Sequence, residues 1–172
     1  MNNALRKHFR SRHVVLPVIH VASQAQAMRN ATLAHEAGAD GVFLINHAMA
    51  SKELLAIHVA VSDAFPTWWI GVNCLDLHPE AVFAVVSNRV AGVWTDNALI
   101  QEDRSEQLAA AAVLEVQRRH GWQGLYFGGV AFKCQRHVDD LRTAAKVARQ
   151  YMDVTTSGPA PARQRTSRKS AR

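Results

Sequence analysis

Six short apolar runs punctuate the chain, and each closes on polar residues before a helical stretch begins. VVLPVIH closes on His20, GVFLIN on Asn46, WWIGVN on Asn73, AGVWTDN on Asp96 and Asn97, LYFGGVAFK on Lys133, and DVTTSG on Thr155 to Gly158. Uninterrupted apolar runs of this length suit strands covered on both faces, as in a parallel sheet. The spacing predicts strands over 14–21, 41–46, from about 68, 90–95, 124–132 and 153–156. Run starts lie 22 to 33 residues apart, enough for a strand, a loop and one crossover helix.

The intervening segments carry helix signals. Ser23 with Gln26 forms a capping box, and Gly38 closes that helix. Ser51 is the expected cap of the next helix, Pro79 starts a shorter one, and Asp76 is assigned to starting it. Asp103 and Glu106 bracket the start of a helix over Leu108 to Arg119, and another spans about 137–151. The expected fold is therefore α/β, built from parallel βα repeats with about six strands. Either the sheet is open and doubly wound, or it is a barrel sequence short of its last quarter. At 172 residues the chain is below the roughly 250 typical of a closed eight-stranded α/β barrel.

Charge divides the chain into three. Residues 1–13 carry Arg6, Lys7, Arg10 and Arg12 without an acid, and residues 160–172 carry Arg163, Arg165, Arg168, Lys169 and Arg172, also without one. The formal charge of +6 thus belongs to the ends, and the body over 14–159 is slightly acidic. The expected domains are a basic N-terminal segment, a partial barrel over 14–159 and a disordered basic tail. The basic ends read as solvated tails. Nucleic acid is not an expected partner, since aromatic interleaving and a recognisable binding motif are both missing.

Cys74 and Cys134 have no CxxC spacing, which suits a reducing compartment, and a cytoplasmic location is expected. No run reaches the length of a membrane span. No zinc spacing, GxSxG elbow, GxGxxG or Walker loop occurs, so no metal site is expected and no cofactor is identified.

In parallel α/β folds substrates are met where strands run out into βα loops. His20, Asp96 and Lys133 are the candidate catalytic residues: His20 and Asp96 can handle a proton, and Lys133 can hold an anion or act as an amine. Asn46, Asn73 and Asn97 are candidate substrate-binding amides. Asn46 and Asn73 stand at equivalent points of two successive repeats. Thr155, Thr156, Ser157 and Gly158 offer hydroxyls and backbone for an anion, so a small phosphorylated ligand is the expected partner.

Taken together, VIHV, AGADGVFLINH, IGVNCL with VAGVWTDNA, GGVAFK and DVTTSGP resemble the BtpA-like family of TIM barrels over about residues 14–159. The resemblance implies a (β/α)8 fold, here an incomplete one. It places the site at the C-terminal strand ends, at His20, Asn46, Asn73, Asp96 and Lys133. Family members are associated with photosystem I biogenesis, and others look like sugar-phosphate or nucleoside-type enzymes. After TTSGP the family continues with a glycine-rich loop, a helix and strands seven and eight, so the chain is expected to be C-terminally truncated. An unclosed barrel leaves two strand edges and an apolar interior uncovered, which predicts self-association.

Two functions remain open on this reading. One is an enzyme acting on a small phosphorylated or sugar- or nucleoside-type metabolite, inactive if truncation has removed part of the site. The other is a noncatalytic assembly or biogenesis factor, or a partner-binding relic.

Overall fold

The structure, a computed structural model, describes residues 3–132 and 135–158. Six strands form one parallel sheet in the order β1-β2-β3-β4-β5-β6: Val18–Val21, Gly41–Asn46, Trp69–Asn73, Gly92–Thr95, Leu125–Ala131 and Val154–Ser157. A doubly wound sheet reverses its strand order at a switch point. Here consecutive strands are always neighbours, which is the winding of a barrel.

The crossover helices are α2 (Gln24–Glu36), α3 (Ser51–Ala64), α4 (Pro79–Val85), α5 (Leu108–His120) and α6 (Leu141–Ala148). They follow α1 (Asn3–His8), which the sequence pattern did not announce.

Local chemistry sets the boundaries. Ser23 Oγ accepts the Gln26 amide, and the Gln26 side chain bonds Ala22 N and His20 O, tying the start of α2 to the end of β1. α5 ends on Gly121, whose φ of 64° suits a residue without a Cβ. β1 is shorter than expected because residues before Pro17 pair locally with Asp40: Asp40 Oδ2 accepts Val15 N, and Asp40 N donates to Val15 O. α6 is shorter too. Asp140 caps it by accepting the Thr143 amide, while the amide of Asp139 is already held by Glu102.

The two faces of the sheet have different contents. Val42, Leu44, Ile70, Val72, Val93 and Tyr126 pack with the helices in the larger core. The inner face carries aromatic rings: Phe43, Trp69, Trp94 and Phe127 touch one another across β2, β3, β4 and β5. Gly71 and Gly92 make room for this layer, since a Cβ at either would run into the Trp69 ring.

The interior is not left bare, contrary to expectation. α1 lays Leu5 and Phe9 against the strand starts, with Phe9 5.5 Å from Trp69 between ring centroids. Phe9, Phe43, Trp69 and Phe127 are each less than 8% exposed. The strand edges of β1 and β6 remain, each bonded on one side only among the described residues.

Candidate functional site

Strand register decides which of the polar strand-end residues can meet. His20 pairs with Ile45 and Ile45 with Asn73, so these three share one row and one face of the sheet. Asn46 pairs with Val21, one residue further along, and the alternation of side chains turns it to the opposite, helix-covered face. The expectation that Asn46 and Asn73 occupy equivalent positions is therefore corrected.

Asn46 is 1% exposed and fully engaged. Its amide donates to Met49 O at 2.8 Å and to Asp76 Oδ1 at 2.7 Å, and its oxygen accepts Leu75 N at 2.8 Å. It fastens the β2 loop to the β3 loop and has nothing left for a ligand.

Asp76 belongs to the same clasp. It accepts the amide and the hydroxyl of Ser51, so it caps the start of α3, whose own cap residue, Ala50, has no side chain able to do so. The expected roles are thereby exchanged: Asp76 serves α3 rather than the helix at Pro79, and Ser51 donates rather than accepts. Desolvation opposes ionisation of Asp76. Hydrogen bonds from the Ser51 hydroxyl, the Asn46 amide and the Ser51 backbone outweigh it and hold the carboxyl at about 2, below its usual 3.8.

Asn73, on the inner face, is 2% exposed and donates to Asp96 Oδ1 at 2.9 Å. Asp96 follows β4 and is half-buried. The two residues border a hollow of about 150 Å³ at the ends of β3 and β4, with Leu75, Leu77, Thr95 and Asn97 also in its wall. Asn97 is exposed, and its side-chain oxygen accepts Leu99 N, shaping a turn in which Leu99 has a φ of 61°. Beyond it, Gln107 is buried and bonds Gln101 N and O and Arg104 O.

His20 is exposed at the β1 edge of the same inner face. Its Nδ1 lies 2.6 Å from His47 Nε2, and the rings are 15° from coplanar with centroids 4.7 Å apart. The nitrogen separation plus one ring radius on each side accounts for that centroid distance, so the rings meet edge to edge through one N–H···N bond. Sequence reasoning passed over His47 because it lacked a metal-ligand spacing; its place directly after the polar end of β2 was the available signal. Among the described residues no group of three potential ligands converges on a metal position.

At β6 the alternation repeats. Thr156 pairs with Gly129 on the inner face, and Thr155 pairs with Gly128, on the face packed by Met152 and Ala98. Ser157 is exposed and Gly158 lies beside Phe132. Among the described residues Thr156 Oγ1 is buried without a partner, as are the indole nitrogens of Trp69 and Trp94, all on the inner face. Lys133, Cys134 and the tail from 159 lie outside the described residues.

Glu102 closes one side of the mouth. Its carboxylate holds Arg136 and accepts Asp139 N, joining the β4 loop to the β5 loop.

A DHPS from Yersinia pestis, solved with a pterine-sulfa conjugate, is similar to this chain at 18% identity and a TM-score of 0.51, covering 81% of this chain and 52% of its own. The fold is an incomplete α/β barrel. A member of the enolase superfamily from Listeria innocua is similar at 11% identity and a TM-score of 0.49, over 78% of this chain and 33% of its own. The chain thus spans about half the length of the first and a third of the second. No family model matches the chain, and no curated protein does. Among the described residues no helix is long and apolar enough to cross a membrane.

Proposed function

We infer that the C-terminal mouth of this barrel sheet binds a small phosphorylated or sugar- or nucleoside-type metabolite, and that the chain is a BtpA-like protein using it for proton-transfer chemistry. The observation that carries this reading is the bond from Asn73 to Asp96 at the rim of the hollow. A neutral amide on one oxygen fixes the direction of the carboxylate without neutralising it, leaving the second oxygen to accept from a ligand hydroxyl.

His20 stands in the inner row of Asn73, two strands away, and three strands from Asp96 at the end of β4, roughly 14 Å by strand spacing. In this reading a small metabolite seated at Asp96 and Asn73 extends across β2 towards His20. The N–H···N bond couples the tautomers of His20 and His47, so His20 Nε2 is a donor when His47 holds the shared proton and an acceptor when His20 holds it. Thr156, with an unpartnered buried hydroxyl, is a further contact. Lys133, two residues after β5, supplies the cation for a phosphate in this reading.

Calorimetric titration with ribose 5-phosphate, and separately with inorganic phosphate, tests this. Binding should weaken at least about tenfold in Asp96→Asn and in Lys133→Ala, a loss of roughly 1.4 kcal/mol or more. Equal affinity in both variants would overturn the assignment.

The open edges favour a second, noncatalytic reading, in which the chain associates with itself or another strand-bearing partner. Among the described residues β1 is bonded on one side only, and its neighbourhood exposes Val15 (59%) and Val18 (40%). Sedimentation across a concentration series should then show a rising mass that Val18→Lys suppresses.

A further inference from the structure

The end of the sheet opposite the proposed site carries a fixed patch of positive charge. Residues 3–13 are not a loose tail: α1 is docked by Phe9, 6% exposed, against Trp69 and the starts of β3 and β5. Spending Leu5 and Phe9 on the barrel floor turns Arg6, Lys7, His8, Arg10 and Arg12 outward, all exposed. Among the described residues none of Arg6, Lys7, Arg10 and Arg12 is in an ion pair.

Nearby carboxylates do not neutralise them. Asp40 and Asp153 accept backbone amides of Val15 and Tyr126, and Asp63 pairs with Arg89, while Glu36 ends α2. The last turn of α5 brings Arg118 and Arg119 to this same pole, where both pair with Glu115 and leave one net positive charge between the three. Asp76, Asp96, Glu102 and Asp139 lie at the other pole. The molecule is therefore electrically polarised along the barrel axis, with the site on the acidic end.

We propose that this N-terminal pole binds the phosphate backbone of a nucleic acid without reading its sequence. Three of the four unpaired cations in the arm are arginines, whose planar fork matches phosphate oxygens. A membrane surface is the poorer fit, because Ala4, Leu5 and Phe9 are packed against the inner aromatic layer rather than turned out to enter the lipid boundary. A backbone partner needs charge alone, held in place, which is what the docked arm presents. The composition of the arm read as a solvated end; its docking makes it a surface.

Fluorescence anisotropy of the full chain with a labelled mixed-sequence DNA duplex of about 20 base pairs tests the proposal. Four phosphate contacts predict a slope near −3.6 in log affinity against log salt, about a 150-fold loss between about 50 and about 200 mM. The combined variant R6S/K7S/R10S/R12S should lose at least about tenfold in affinity at the lower salt and flatten the slope, and a second duplex sequence should bind the wild type equally. Circular dichroism checks that the variant is folded, and Arg10→Glu alone, which leaves Phe9 in place, should weaken binding in the same direction. Undetectable binding, or affinity unchanged in both variants, would overturn the proposal. So would loss of binding confined to a variant neutralised at Arg163, Arg165, Arg168, Lys169 and Arg172, which would assign it to the tail. Tighter binding to phosphatidylserine vesicles than to duplex at equal salt would assign the surface to membrane instead. These outcomes are independent of the metabolite titration, which reads the opposite pole.

Discussion

Asn46 and Asn73 end successive strands in similar sequence surroundings, yet one is a fastener and the other holds a carboxylate at an open hollow. Asn46 makes three hydrogen bonds within a clasp of two loops. Asn73 makes one side-chain bond, to Asp96. The difference is one residue of register, which reverses the face. A polar residue at a strand end thus acquires its role from parity within the sheet as much as from its position on the rim.

Substitutions can break this contrast, and the largest effect belongs to the fastener. Asn46→Ala removes three bonds from a fully buried position, leaving the Leu75 amide without its acceptor and Asp76 still held by Ser51, so it should cost about 2 to 3 kcal/mol in chemical denaturation. Next is Asp76. Its carboxyl sits at about 2 in the folded chain against an ordinary 3.8, so its contribution to stability is complete above the ordinary value and is lost as pH falls from 3.8 towards 2. Asp76→Asn should lower stability at neutral pH and flatten that acid limb in thermal melts recorded across the range.

Asn73→Ala should cost only about 1 kcal/mol in stability while reducing phosphate-sugar affinity in the calorimeter. A loss as large as that of Asn46→Ala, with affinity unchanged, would make the two asparagines alike after all. The smallest effect is expected at the exposed pair: His47→Ala should change stability by less than about 0.5 kcal/mol. It should nevertheless shift the imidazole nitrogen resonances of His20, because the shared N–H···N bond is gone.

Much of the architecture was legible in the chain. Apolar runs at regular spacing located all six strands, and the Ser23–Gln26 and Gly38 signals located the ends of α2, because these depend on neighbours in sequence. What escaped depends on contacts between distant segments. The faces of Asn46 and Asn73 require register, and the true client of Asp76 lies 25 residues upstream at Ser51. Phe9, a lone ring among basic residues, carries no periodicity to mark α1 as docked. His47 was visible as a residue but not as the neighbour of His20, since the link crosses 27 residues.

The Trp69 ring lies over bare backbone at Gly71 and Gly92, and a methyl group at either would overlap it. Volume at these three positions is consequently mutually exclusive, as in a key and its ward. Any lineage that enlarges Gly92 must first whittle down Trp69, and the loss of that indole takes away the seat on which Phe9 rests. A change deep in the sheet would in this way release the arm on the outside.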